Sequence, residues 1–284
     1  MNDATIFIVG ANGQLGTALR EQYPGSQFAD IDELDITNPE SVAHFNWTGI
    51  EVVLNAAAYT NVDGAETTEG RIAAWKVNAT AVSNLARACL EHDMTLVHIS
   101  SDYVFDGTKD PHTEDEPLSP LSVYGESKAA GDLLVGMLPR HYILRTTWVI
   151  GEGKNFVRTM LSLAEKSVSP TVVADQVGRL TFTTELVRAI DHLLTVQSEF
   201  GTYNVTNSGE SMSWAAITRR IFELSGHSEL TVSDTSTADY YDGKTGIAPR
   251  PLQSTMSLDK LQATGFSSRD WADDLASYIK KEEE

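Results

Sequence analysis

The chain has 284 residues, 41% of them hydrophobic and 21% charged, with a formal charge of −19. That length supports an ample core in one large α/β unit, or in such a unit with a smaller lobe, without disulfide or metal staples. The charge argues against nucleic-acid and anionic-membrane partners, no apolar run approaches the roughly 18 residues that cross a bilayer, and Cys89 as the single cysteine fits a reducing compartment, the cytoplasm.

The start MNDATIFIVG lacks a basic segment and a cleavage site, so no signal peptide is expected. Thr5 to Val9 reads as a buried strand, Leu15 to Tyr23 as a helix and Gln27 to Ala29 as a short strand. Pro39 to Phe45 reads as a helix capped by Thr37 or Asn38. Val52 to Ala57 is a second long buried strand. Glu69 to His92 places Ile72, Trp75, Val77, Val82, Leu85, Ala86 and Leu90 at helical spacing, and Thr95 to Ser100 is again a strand. Asp106 to Pro120 has loop composition. Tyr124 to Met137 reads as a helix and Tyr142 to Val149 as a strand.

Beyond Gly151 the alternation loosens. Helices are expected at Phe156 to Glu165, Thr184 to Thr195, Ser213 to Ser225 and Ser268 to Lys281. Strands are expected at Thr171 to Val173 and Tyr203 to Val205, and the Lys-Lys-Glu-Glu-Glu end is expected to fray. The order predicts a Rossmann-type α/β fold, a doubly wound parallel sheet followed by a smaller C-terminal substrate-binding lobe. Residues 1–150 would bind a dinucleotide. Residues 151–284 would form mainly the lobe, with some segments returning to the first domain. The ligand crevice of such sheets lies at the carboxyl ends of the strands.

Gly10-Ala11-Asn12-Gly13-Gln14-Leu15-Gly16 stands between the first strand and helix. Its glycines permit positive φ and close approach to phosphate, and the helix N-terminus offers free N–H groups to a pyrophosphate. The spacing is G-x-x-G-x-x-G, and a glycine turn without ligand gives the same local pattern. Asp30, ending the second strand, would accept the adenosine ribose hydroxyls. Its neighbours Ile31, Asp32 and Glu33 include no arginine for a 2′-phosphate, so NADH is at least as acceptable as NADPH. Asp35 and Ile36 would line the adenine. The small residues Ala56, Ala57 and Ala58, with Tyr59 and Thr60, would let backbone approach the cofactor.

Tyr124 and Lys128 are four residues apart and share a helical face. A phenol titrates near 10, and bringing it toward neutrality requires about 4 kcal/mol of preference for the phenolate, which an adjacent ammonium in a dry site, helped by cofactor charge, can supply. Lys128 would also hold the nicotinamide ribose. Ser101, at a strand end, can donate to a carbonyl oxygen. Singly these signals are weak; with the glycine loop and the strand order they indicate hydride-transfer chemistry.

These residues resemble the extended short-chain dehydrogenase/reductase superfamily, and within it the dTDP-4-dehydrorhamnose reductase family. The matching pieces are GANGQLG at Gly10, LDIT at Leu34, NAAAYTNVDGAE at Asn55, SSDYVFDG at Ser100, YGESK at Tyr124, RTTWVIGEGKNF at Arg145, ADQVGRLTFTTEL at Ala174 and RPLQS at Arg250. The resemblance implies NAD(P)H-dependent reduction at C4 of dTDP-4-dehydro-β-L-rhamnose to dTDP-L-rhamnose, for cell-surface polysaccharide. It implies Tyr124 as proton donor, Lys128 as its activator, and Ser101 where the family usually has threonine. It also implies Asp102, Tyr103 and Trp148 around the sugar, and Gly13, Gln14, Leu15, Asp30, Asp35, Ile36, Ala58, Tyr59 and Thr60 at the cofactor. Arg250 would clamp the substrate diphosphate; a surface salt bridge is its plain alternative, as a core position is for Trp148. Some members are described with Mg2+ at a dimer contact. Glu185 matches one carboxylate of that site, while Ala18 stands where another would be. The chain would act as a monomer or homodimer.

Two other classes share these motifs. A related epimerase or 4,6-dehydratase keeps the glycine loop and Tyr/Lys pair, but the dehydratase needs Asp-Glu where this chain has Asp102-Tyr103. A non-catalytic dinucleotide-binding regulatory subunit tends to lose the Tyr/Lys pair, which is present here.

Overall fold

A computed structural model describes residues 2–282 of the chain. In chain order the first half runs β1 (Ile6–Val9), α1 (Gln14–Gln22), β2 (Gln27–Ala29), α2 (Pro39–Ala43), β3 (Val52–Asn55), α3 (Thr68–Trp75), α4 (Ala81–Glu91), β4 (Thr95–Ser101), α5 (Val123–Val135) and β5 (His141–Thr146). The second half runs β6 (Val149–Ile150), α6 (Phe156–Glu165), β7 (Thr171–Val173), β8 (Val177–Gly178), β9 (Thr181–Phe182), α7 (Thr183–Thr195), β10 (Gly201–Asn204), β11 (Met212–Ser213), α8 (Trp214–Leu224), β12 (Ser233–Thr235), α9 (Thr237–Tyr241), α10 (Asp259–Ala263) and α11 (Trp271–Glu282).

Six parallel strands form the central sheet in the order β10-β5-β4-β3-β1-β2. Alternate side chains of each strand face opposite ways. Ile6 and Ile8 of β1, Val52 and Leu54 of β3, and Val97 of β4 pack on one face with Leu15, Leu19, Leu186, Ile190 and Leu193 of α1 and α7. Phe7, Val9, Val53, Leu96 and Ile143 pack on the other with Val42, Val82, Leu85 and Val135 of α2, α4 and α5. This is the doubly wound α/β sheet that the element order predicts. Strand order reverses between β1 and β3, which opens a crevice at their carboxyl ends.

A third core gathers Val157 and Met160 of α6, Ile217 and Phe222 of α8, and Trp271, Leu275 and Ile279 of α11. The chain after 150 is therefore shared. β10 is the sixth strand of the main sheet, and α7 with Leu261 and Phe266 belongs to the core beneath it.

Several element boundaries differ from expectation. The helix expected over 69–92 is two α-helices joined by a π-helical turn, Lys76–Thr80. Buried Asn78 in that turn bonds both backbone groups of Tyr59 (2.9 and 3.1 Å) and the Ser127 hydroxyl (3.0 Å), which binds the loop after β3 to α5. Its expected apolar face is only partly covered: Ile72, Trp75 and Leu90 are exposed. The strand expected over 142–149 stops at Thr146, because Trp148 takes φ +47° and turns the chain into β6. The short helices α9 and α10 fall where no element is expected. At the C-terminus, Lys280–Glu282 continue α11 rather than fray, and Glu283 and Glu284 lie outside the described residues.

The glycine loop is set by contact. Gly10 has φ +74°, and a Cβ there would lie 2.6 Å from the Ala57 nitrogen. A Cβ on Gly16 would lie 2.1 Å from the Gly10 carbonyl oxygen. Gly16→Ala therefore lowers the unfolding free energy by about 1–3 kcal/mol in urea titration; an unchanged value would show that the loop has slack.

Candidate active site

Two clefts meet at the reversal point. The first, about 450 Å3, is lined among others by Gly10, Asn12, Gly13, Asp30, Asp35, Ile36, Ala56, Ala57 and Ala58. The second, about 650 Å3, is lined by Gln14, Leu15, Thr60, Ser101, Asp102, Tyr103, Tyr124, Lys128 and Trp148. Asn12, Gly13, Ala56 and Ala58 line both, so the two form one groove across the sheet.

The loop fits a dinucleotide. Gly10 and Gly16 are explained by the packing above. A Cβ on Gly13 would meet nothing closer than 3.4 Å, yet Gly13 stands at the N-terminus of α1 with no side chain capping it. The free N–H groups of that first turn open on the groove, and they favour a pyrophosphate. Asp30 fixes the loop from the side: its carboxylate accepts from the Asn12 and Ile31 nitrogens (2.9 and 2.8 Å). Asp35 accepts from the Thr37 nitrogen and hydroxyl (2.9 and 2.6 Å). Two expected cofactor residues stand apart. Gly16 is buried under Gly10, and Tyr59, its backbone held by Asn78, packs beside Tyr124 rather than lining either cleft.

At the other end, Ser122, two residues before Tyr124, caps α5 by accepting from the Gly125 nitrogen (3.1 Å). A Cβ on Gly125 would lie 2.2 Å from the Tyr103 carbonyl oxygen and one on Gly131 2.5 Å from the Asn78 carbonyl oxygen, so α5 lies directly on neighbouring backbone. This seating buries Lys128 to 2% exposure, where its Nζ donates to the Ile99 carbonyl at 2.6 Å. Burial pushes the ammonium down to about 8, with the Asp132 carboxylate working against the fall. Burial likewise pushes the Tyr124 phenol up to about 12; a hydrogen bond with Ser101 opposes the rise and Asp102 adds to it. The burial of the phenol thus works against the lowering that the Tyr/Lys spacing suggests. Lys128 directs one of its three N–H donors to β4, and burial sets the direction of the phenol's shift.

Ser101, at the end of β4, accepts from the Tyr103 nitrogen (3.2 Å) and donates to Asp102 (3.0 Å). Asp102 is fully buried, and Ser254 of the RPLQS segment donates to it at 2.6 Å. Burial holds that carboxyl above its ordinary value against the hydrogen bonds of the Ser254 and Ser101 hydroxyls. The Tyr103 ring meets Tyr124 edge-on at 5.4 Å. Trp148, half-buried, lines the groove and stacks on Trp214 at 3.7 Å. Its positive φ is a strained backbone for so large a side chain. Arg250 does not line the groove. Its guanidinium pairs with Asp63 at 2.8 Å and lies 4.8 Å from the Tyr241 ring centre.

The family model described as the RmlD substrate binding domain matches residues 4–284. A dTDP-4-dehydrorhamnose reductase of Aggregatibacter actinomycetemcomitans is 36% identical over 94% of this chain and 96% of its own. The chain belongs to the dTDP-4-dehydrorhamnose reductase family. The crystal structure of a member from Clostridium acetobutylicum superposes with a TM-score of 0.89 at 36% identity, covering 98% of this chain and 99% of its own. That of a Bacillus anthracis member, solved in complex with NADP, superposes with 0.88 at 33% identity, covering 98% of each. The relationship read from the motifs thus holds over nearly the whole chain.

Magnesium, met in some members of the family, does not fit the residues present. Glu185 is fully buried, with its oxygens on the Arg188 side chain and the Arg269 nitrogen, and Ala18 supplies no ligand. Among the described residues no three His, Cys, Asp or Glu cluster as metal ligands, and no helix is long and apolar enough to cross a membrane.

The sequence reading missed Asn78, Trp214 and Lys154, an exposed lysine lining the groove. Lys154 lay within the quoted RTTWVIGEGKNF piece; Asn78 and Trp214 left no local signal. It also missed that Arg145 of the same piece is structural, its Nε buried against Asp132 at 2.9 Å. Removing one partner of such a pair strands a charge. Asp132→Ala therefore costs about 3–5 kcal/mol in urea titration, and a loss below 1 kcal/mol (about the worth of an exposed pair) would contradict the burial.

Proposed function

We propose that the chain reduces the C4 ketone of dTDP-4-dehydro-β-L-rhamnose to dTDP-L-rhamnose with NADH or NADPH. The observation that carries this reading is the seat of Tyr124, Lys128 and Ser101 in one cleft continuous with the dinucleotide-shaped cleft. The dinucleotide, when bound, supplies the hydride. Everything else is asked of the chain. The loop from Gly10 to Leu15 and the first turn of α1 hold the pyrophosphate. Asp30 meets the adenosine ribose, while Asp35, Ile36, Ala56 to Ala58 and Thr60 flank the adenine and the second ribose.

At the sugar end, Ser101 turns its hydroxyl from Asp102 to the ketone oxygen, and Tyr124 donates the proton that completes the alcohol. A phenol with its pKa near 12 is protonated at neutral pH, the form a reduction requires. It is a weak acid, so the charge of Lys128 matters most as the phenolate forms, a stabilisation realised in the transition state. Lys128 also holds the nicotinamide ribose. Asp102, Tyr103 and Trp148 shape the sugar pocket. Arg250 has to exchange Asp63 for the substrate diphosphate to act as its clamp. In this reading residues 1–150 are the dinucleotide unit and 151–284 mainly the substrate lobe, and a monomer or homodimer works in the cytoplasm.

The 4,6-dehydratase reading is disfavoured by Tyr103, which stands where that chemistry needs a glutamate. An epimerase or a non-catalytic dinucleotide sensor gives no net consumption of reduced cofactor on the keto sugar. Tyr124→Phe, assayed at 340 nm with the dTDP-4-keto sugar, is expected to lower kcat by about 10^2–10^4-fold while NAD(P)H binding persists. Near-normal kcat in that variant would remove the assignment.

A further inference from the structure

The residues next to Asp30 offer no cation to a 2′-phosphate, but the fold brings one from α1. Arg20 lies in the second turn of α1, half-buried. Its guanidinium sits over the half-exposed Phe28 ring of β2, 4.1 Å from the ring centre. Its Nη1 lies 3.5 Å from the Asn12 side-chain oxygen. Asn12 in turn donates its backbone N–H to Asp30 at 2.9 Å. Arg20, Asn12 and Asp30 thus form one rim of the first cleft, which Asn12, Asp30 and Ile31 line.

Two features suit this rim to a phosphate. Among the described residues Arg20 forms no salt bridge, although the chain carries a formal charge of −19. A stacked guanidinium keeps its plane fixed and its fork free, the geometry phosphate oxygens accept. The Asp30 carboxylate is meanwhile committed to two backbone N–H groups, which disperses the charge that would oppose an anion. A solvated arginine elsewhere on α1 would have neither the aromatic seat nor the contact with the loop.

We propose that Arg20, stacked on Phe28 beside Asn12, is the counter-cation for the 2′-phosphate of NADPH and sets this chain's tolerance for that cofactor. The proposal rests on the reading that the first cleft holds the adenosine end of a dinucleotide. It answers the lack of an arginine next to Asp30, since the neighbouring helix supplies one.

Calorimetric titration of the purified protein tests it without any sugar substrate, using NADPH, NADH, adenosine 2′,5′-bisphosphate and 5′-AMP as probes. Arg20→Gln is expected to weaken NADPH and the bisphosphate by about tenfold, with NADH and 5′-AMP changed less than about twofold, and Arg20→Lys to recover part of the loss. Unchanged NADPH affinity, or equal losses for NADPH and NADH, would overturn the proposal. Retained NADH binding shows that a variant is folded. Binding of neither cofactor by the wild type would overturn the proposal together with the cleft assignment. Selective loss in a protein that fails to reduce the dTDP-4-keto sugar would uphold Arg20 and reject only the substrate.

Discussion

A lysine ammonium held in the interior is the constraint that the rest of the site obeys. Stripping that charge of water is expensive unless partners are fixed around it. Here the partners come from three places: the Ile99 carbonyl on β4, the Asp132 carboxylate one helical turn along α5, and Arg145 of β5, which steadies Asp132. The arrangement requires α5 to lie against the turn that follows β4 and against the π-helical turn with no side chain between the backbones, and Gly125 and Gly131 make that approach possible. The same approach brings Tyr124 beside Ser101. The Tyr/Lys pair is therefore a packing solution before it is a catalytic one.

This explains which features could be read along the chain. The sheet strands are short apolar runs broken by glycines and polar caps, so their order and even the β2 bounds, Gln27 to Ala29, were legible. The continuous helix over 69–92 was not. Its break serves the bonds that Asn78 makes to Tyr59 and Ser127, partners nearly 20 and 50 residues away. Likewise a period of four places Tyr124 and Lys128 on one face, but spacing says nothing of desolvation. Burial of the phenol works against the fall that the spacing suggests. A salt bridge is one of the two readings of Arg250, but its partner, Asp63, is 187 residues away and could not be named from the sequence.

Charge follows the same logic. In a chain of formal charge −19, cations at a site for anionic ligands must be individually held. Arg158 is bound by Glu152 and Glu282, and Arg145 by Asp132. Those that open on the groove without a carboxylate bridge are few: Lys128, Lys154 and, at its rim, Arg20. Helix α1 contributes to both ends of that scheme: no side chain caps its N-terminus, and Arg20 stands in its second turn. The acidic surface leaves selectivity for phosphate to a small number of placed groups rather than to a general field.

The central claim is that a buried, still-charged lysine makes the phenol of Tyr124 able to protonate a ketone. The pH dependence of the single-turnover reduction rate, from pH 6 to 10 with saturating cofactor and dTDP-4-keto sugar, tests it most directly. With the phenol held near 12 and the ammonium brought down to about 8, the rate is flat below the lysine's titration and declines through about pH 8 as the charge is lost. In Lys128→Ala the rate is low throughout and that alkaline limb is gone. A wild-type rate that stays constant to pH 10, or the same limb persisting without the lysine, would contradict the account.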